Sequence, residues 1–157
     1  MSKTDQITLA NVYEQTVVFT KGREYVYETT IYLVHSLDLS GNNLSGEIPS
    51  NITSLLKLGI VNLSMKHLTV KIPESIGNLR SMESLDLSRN QLFRLVPQSL
   101  SSLTFLSYLN LSFNNLSGEI PSGNQLQTIN DPSIYEGNSL LSGPPRSTRC
   151  PGKDTDP

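Results

Sequence analysis

The chain has 157 residues, enough for one ordinary domain with a core of its own. Its formal net charge is −2, from 12 basic and 14 acidic side chains, and it contains no basic block, which argues against nucleic acid or an anionic membrane surface as a partner. No run approaches the roughly 18 apolar residues of a membrane span, and Met1-Ser2-Lys3-Thr4-Asp5-Gln6 lacks the apolar stretch of a secretory signal, so composition alone predicts a soluble intracellular protein.

Residues 1–33 carry no repeat. Val17, Phe19, Tyr25 and Tyr27 flank Lys21-Gly22, and Tyr25-Val26-Tyr27-Glu28-Thr29-Thr30 has the β-branched and aromatic character of a strand. This predicts a β-hairpin turning at Lys21-Gly22. The apolar run Ile31-Tyr32-Leu33-Val34 then leads into residues 34–129, where one text is written four times. Leu37-Asp38-Leu39-Ser40-Gly41-Asn42-Asn43-Leu44-Ser45-Gly46-Glu47-Ile48-Pro49 returns almost intact from Leu109 to Pro121. Two worn copies, Val61 to Pro73 and Leu85 to Pro97, lie between. Leu37, Val61, Leu85 and Leu109 step by about 24 residues, inside the range of leucine-rich repeats. After Pro121 the pattern dissolves and no strand motif is readable. Gly137-Asn138-Ser139-Leu140-Leu141-Ser142-Gly143-Pro144-Pro145 reads as an irregular terminal cap. Residues 130–157 are therefore assigned to a cap and a polar tail from Pro151 to Pro157, whose composition predicts disorder. The lone Cys150 cannot form an internal disulfide.

Each column of the repeat has a physical reading. Leu37 and Leu39 alternate with Ser36, Asp38 and Ser40, the period-two signature of a short strand buried on one face. Asn42, Asn90 and Asn114 stand where the chain leaves the strand, and a buried amide there can pair backbone groups that no sheet satisfies. Gly46 and Gly118 suit a conformation that a side chain hinders. Pro49, Pro73, Pro97 and Pro121 stiffen the return along the far side and prevent a long helix. Ile52, Leu55, Ile76, Leu79, Leu100 and Leu103 close the core from there. The expected fold is α/β: a right-handed leucine-rich-repeat solenoid forming a horseshoe arc. Its inner face is a parallel sheet and its outer face carries short 3₁₀ and turn segments.

The element LSGxIP resembles the plant-specific class of leucine-rich repeats. Lys21-Gly22-Arg23-Glu24-Tyr25, followed by Leu33-Val34 and Leu37-Asp38-Leu39-Ser40, resembles plant receptor-like proteins where their non-repeat island rejoins the final repeats. Pro121-Ser122-Gly123-Asn124-Gln125-Leu126-Gln127-Thr128, with Tyr135-Glu136-Gly137-Asn138, resembles the cap that closes the same ectodomains. The resemblance implies that residues 1–33 are an island remnant, residues 34–129 four plant-type repeats, and residues 130–157 the cap and tail. It also implies a kinase-less receptor at the extracellular face of the plasma membrane, of which this chain would be the last part of the ectodomain. Its partners would be a co-receptor kinase ectodomain or a pathogen-derived ligand, in defence signalling. The chain departs from the family pattern at Lys66 in the Asn column and at Val70 and Arg94 in the Gly column. A cap cysteine that the family would place near Ser142 is absent. These departures predict a marginally stable rod, and they keep open a truncated, non-functional remnant. The runner-up function is an inhibitor of microbial cell-wall-degrading enzymes of the polygalacturonase-inhibiting type.

No catalytic, cofactor-binding or metal-binding set is readable. Asp38, Asn62, Asp86 and Asn110 form one column beside Ser40, Ser64, Ser88 and Ser112, and the two carboxylates stand roughly 9–10 Å apart at strand spacing. That column reads as a ladder of hydrogen-bonding side chains. His35 and His67 have no ligand partners at metal spacing, and no serine has a nucleophile-elbow context. Exposed inner-face positions vary from copy to copy: Ser36, Ile60, Ser84 and Tyr108 in one column, Gly41, Met65, Arg89 and Phe113 in the next. Variation on a regular scaffold suits recognition, which makes Arg89, Tyr108 and Phe113, with Arg23 and Tyr25 before the repeats, the expected partner face. The alternative for Phe113 is packing against its neighbour's turn. Among the Asn-x-Ser/Thr sequences, Asn51 on the outer face is the glycosylation candidate.

Overall fold

The computed structural model describes residues 16–20, 23–27 and 35–146; the predicted turn at Lys21-Gly22, Cys150 and the polar tail lie outside them. Strand β1 (Thr16–Thr20) pairs antiparallel with β2 (Arg23–Tyr27), Thr20 opposite Arg23. Each repeat then contributes two short strands. These are β3 (Ser36–Asp38) and β4 (Ser45–Gly46), β5 (Ile60–Asn62) and β6 (His67–Leu68), β7 (Ser84–Asp86) and β8 (Phe93–Leu95), and β9 (Tyr108–Asn110) and β10 (Asn115–Glu119). A last strand, β11 (Leu140–Ser142), follows helix α1 (Asn124–Thr128).

Alternation of apolar and polar residues places the first strand of every repeat in one parallel sheet, in the order β3-β5-β7-β9. Leu37, Val61, Leu85 and Leu109 stand in register across it, and β1 lies near β3 at its edge. Val61, Leu85, Leu109, Leu63, Leu87 and Leu111 are all buried, whereas Leu37 and Leu39 in the first coil are only half-buried. The far side returns as predicted. Pro49, Pro73 and Pro97, at φ −67°, −65° and −64°, precede 3₁₀ turns at Ser50–Ser54, Glu74–Asn78 and Gln98–Ser102. Ile52, Ile76, Leu79, Leu100 and Leu103 from these turns are buried against the sheet.

The second strands form a lateral ladder that the repeat text did not announce. β4 pairs with β6, and β8, β10 and β11 form a three-stranded sheet, all parallel. Phe93 N–H donates to Val70 O at 2.8 Å, so coil-to-coil bonding continues through the position where a valine replaces glycine. Gly46, Val70, Arg94 and Gly118 all have positive φ (97°, 72°, 85° and 83°), which places two non-glycine residues, one β-branched, in a glycine conformation.

Beyond Pro121 the fold corrects the sequence reading. β11 adds a strand to β10, and Ile134 O and Glu136 O accept from Leu111 N and Phe113 N at 2.8 and 2.6 Å. Residues 132–142 are thus a further turn of the solenoid. The sequence pattern hides it because its strand position reads Ser133-Ile134-Tyr135 instead of Leu-x-Leu, although Tyr135, Gly137, Asn138 and Leu140 keep the phase. Tyr135 is fully buried, and desolvation pushes its phenol up to about 12.

Asn138 also completes the column that binds coil to coil. Asn90 Nδ2 donates to Leu63 O, Leu87 O and Ser88 O at 2.9–3.2 Å, and its Oδ1 accepts Leu68 N at 3.1 Å. Asn114 repeats this arrangement one coil later, and Asn138, wholly buried, repeats it again with Leu111 O, Tyr135 O, Glu136 O and Leu116 N. Lys66 occupies the same column. It is buried, donates Nζ to Asn42 O at 2.5 Å, and has no acceptor to offer the N–H of Leu44. Burial holds its ammonium below the usual lysine range, against the smaller opposing attraction of Asp38.

Candidate interaction surface

The concave surface is built from two columns. In the strand column, Ile60 and Tyr108 are exposed by 44% and 48%, beside the smaller Ser36 and Ser84. In the following column the chain turns out of the sheet. Gly41, Met65, Arg89, Phe113 and Gly137 all adopt positive φ, at 78°, 56°, 55°, 56° and 73°. Glycine takes this conformation freely, whereas each side-chain-bearing residue costs on the order of 1–2 kcal/mol there. The side chains it projects are exposed, Met65 by 67% and Phe113 by 41%. Strain kept at exposed, variable positions is the pattern expected of a surface selected for contact.

The turn that generates this column is set by the carboxylates and amides before it. Asp38 Oδ1 accepts both Ser40 N and Ser40 Oγ at 2.9 and 2.6 Å, and Asp86 does the same for Ser88 at 2.9 and 2.7 Å. Asn110 accepts from Ser112 in the same way, and Asn62 accepts Ser64 N. The column is thus made of hydrogen-bonding side chains, and these bonds run within each coil, two residues apart, and tie off the strand end. They hold no ion. Among the described residues no cluster of His, Cys, Asp and Glu is arranged to hold a metal, and His67 Nδ1 faces Gln91 Nε2 at 3.5 Å.

Of the five expected partner-face residues, the fold brings two into direct contact. The Arg89 guanidinium lies 4.6 Å from the centroid of the Phe113 ring, a cation–π contact between adjacent coils. Phe113 rests in turn on Gly137, where an added Cβ would stand 2.7 Å from its ring and 2.9 Å from its Cα. Phe113 therefore packs on its neighbour's turn and still presents a face to solvent. Tyr108 lies in the other column, where its hydroxyl donates to Asp86 Oδ2 at 3.3 Å and accepts from Asn110 Nδ2 at 3.5 Å. Arg23 and Tyr25 lie in β2, opposite Thr20 and Val18; their side chains are outside the described residues.

One further exposed group was missed. Phe93, Leu95 and Leu140 are exposed on the lateral sheet, with the Arg94 guanidinium 5.5 Å from the Phe93 ring. Leu95 and Leu140 flank Ser117 in one row across β8, β10 and β11. The signal was present, because Phe93-Arg94-Leu95 replaces the Ser-Gly-Glu that stands at Ser45-Gly46-Glu47 and Ser117-Gly118-Glu119. Asn51 is exposed in the first 3₁₀ turn, on the opposite side from the sheet.

Two family models, both described as leucine rich repeat, match residues 34–55 and 56–116, together more than half of the chain. No curated protein sequence matches. Among solved structures, a chain of the BIR3–SERK2 complex from Arabidopsis thaliana is 41% identical with a TM-score of 0.68, over 74% of this chain and 61% of that one. The BIR2 ectodomain from Arabidopsis thaliana is 34% identical with a TM-score of 0.64, over 73% and 59%. The Arabidopsis receptor kinase HAESA ectodomain, in complex with an IDA peptide hormone ligand, is 39% identical with a TM-score of 0.60, over 71% and 18%. The chain thus spans about three fifths of the first two and under a fifth of the third. Among the described residues, no helix is long and apolar enough to cross a membrane.

Proposed function

Given that the chain belongs to the leucine-rich-repeat family, in the form carried by plant receptor ectodomains, we propose that it is a non-enzymatic protein-binding module of a plant receptor-like protein. It engages a co-receptor kinase ectodomain or a pathogen-derived ligand, and it serves defence signalling at the extracellular face of the plasma membrane. The observation that carries this reading is the concave surface. Ile60, Met65, Arg89, Tyr108 and Phe113 differ from coil to coil, stand exposed, and are mounted on a sheet whose register does not vary. A rigid sheet bearing an aromatic–arginine pair lowers the ordering cost of association, and Tyr and Arg are the side chains that most often dominate interface energetics. One similar structure is a complex, BIR3 with SERK2, which supports a kinase ectodomain as the kind of partner.

The test is calorimetric titration of the purified chain with the SERK2 ectodomain. Alanine at Arg89, Tyr108 and Phe113 together is expected to weaken binding at least about a hundredfold, each anchor contributing on the order of 1–2 kcal/mol. Adding alanine at Arg23 and Tyr25 should weaken it further. Unchanged affinity in the fivefold variant would remove the assigned face, and no binding by the unaltered chain would remove this class of partner.

A further inference from the structure

Five Asn-x-Ser/Thr sequences occur in the chain, and the fold distributes them over three faces. Asn62 and Asn110 lie in the concave sheet, where their side-chain oxygens accept Ser64 N and Ser112 N at 3.0 and 3.1 Å. Asn43 and Asn115 are exposed where the chain passes toward the lateral strands, Asn115 as the first residue of β10. Asn51 is the one on the convex side. It is the second residue of the 3₁₀ turn Ser50–Ser54, is exposed, and its carboxamide makes no hydrogen bond among the described residues.

Beside Asn51 a groove of about 730 Å³ opens between the first and second coils. Glu47 and Glu74 offer acceptors to it, Lys71 offers a donor, and Ile48 and Pro49 add apolar surface. Ser75 also lines it, with its hydroxyl oxygen buried beneath the surface. Mixed donors and acceptors around an apolar strip match the chemistry of a hexosamine, whose ring carries hydroxyls at its edge and C–H groups on its face.

We propose that Asn51 carries an N-linked glycan whose first N-acetylglucosamine lies in this groove. The proposal rests on the reading of the chain as part of a secreted ectodomain. In the transfer, Asn51 Nδ2 forms a bond to C1 of the first sugar of a lipid-pyrophosphate-linked oligosaccharide. The C1–O bond breaks, the lipid pyrophosphate leaves, and Nδ2 gives up one proton; nothing is oxidised or reduced. Transfer acts on the chain before it folds, so the bond Thr53 Oγ1 later makes to Ser50 O at 2.7 Å does not obstruct it. A glycan on the convex side leaves Tyr108, Arg89 and Phe113 uncovered, whereas one at Asn110 would stand two residues from Tyr108.

The experiment expresses the full chain behind a cleavable secretion signal and maps site occupancy by glycopeptide mass spectrometry. Asn51 is expected to be occupied in most molecules, and a bare Asn51 in secreted, folded protein overturns the proposal. The groove has its own readout. After an endoglycosidase trims every glycan to one sugar, the chain should melt about 2–4 °C above Asn51→Gln treated identically. Equal melting temperatures would overturn the groove contact. SERK2 titration of the same samples separates this result from the receptor reading. Occupied Asn51 in a chain that binds no SERK2 supports the glycan and removes that partner, and a bare Asn51 in a chain that binds SERK2 does the reverse.

Discussion

Lys66 is the residue at which this solenoid departs most sharply from its own rule. Every other buried member of its column is an asparagine that both donates and accepts, whereas lysine only donates, and its burial takes part of the hydration from a charge. Replacing it, Lys66→Asn, would restore an acceptor for Leu44 N–H and donors for the neighbouring carbonyls. The expected gain at neutral pH is on the order of 1–2 kcal/mol. The gain should depend on pH in a defined direction. Burial lowers the folded-state pKa of Lys66 below its unfolded value of 10.5. Below the folded pKa both states are protonated and the full penalty is present. As pH rises from the folded pKa toward 10.5, the folded chain releases its proton first and the penalty is relieved. The difference in melting temperature between Lys66→Asn and the unaltered chain should therefore be largest near neutrality and shrink toward pH 10. A difference that is constant across this range would show that the charge is not what costs stability there.

The asparagine column explains how neighbouring coils are locked, and its members are not equal. Asn138 is wholly buried and makes four hydrogen bonds to two coils, while Asn42 is exposed and its side chain, among the described residues, bonds to Leu39 O alone at 3.1 Å. Removing the buried amide leaves several backbone groups without partners. Asn138→Ala is expected to cost about 3 kcal/mol, and Asn42→Ala within about 0.5 kcal/mol, in denaturant titration. Similar costs at the two positions would mean that the column contributes locally and does not join coils. The lateral strands belong to the same scale. They are two to five residues long, yet their bonds pass from coil to coil and seat Leu95 over Gly118. The sequence announced the glycine but not the ladder, because strands this short leave too few residues for a period to be counted.

For the molecule as a whole, each coil touches mainly its neighbours, so stability is a sum of coil and interface contributions. The two ends differ. The last turn, with Ile134, Tyr135 and Leu141 buried, covers the fourth coil, whereas Leu37, Leu39 and Leu55 in the first coil are only half-buried. Amide hydrogen exchange should accordingly be slowest in β7 and β9 and fastest in β3 and β4, with β11 protected well above a frayed terminus. Uniform protection along the chain, followed by mass spectrometry, would indicate that the rod unfolds as one unit and that its first coil is as well buttressed as its third.

The sequence by itself determined the period, the strand column, the buried leucines, the proline-stiffened return and the identity of the variable surface positions. Each of these is a local pattern repeated at fixed spacing, and spacing is what a sequence displays directly. The tertiary structure alone decided the rest. It turned Ser133 to Ser142 into a further coil, where Tyr135 fills a leucine's place and Asn138 finds Leu111 O and Leu116 N–H only once the fourth coil is beside it. It laid Arg89 on Phe113 and Phe113 on Gly137, and it confined the Asp86–Ser88 bonds to one coil while leaving Tyr108 to reach Asp86 from the next. Contacts between residues a full coil apart depend on how neighbouring turns stack. The same short text can be satisfied by several side chains once that stacking supplies the missing partners.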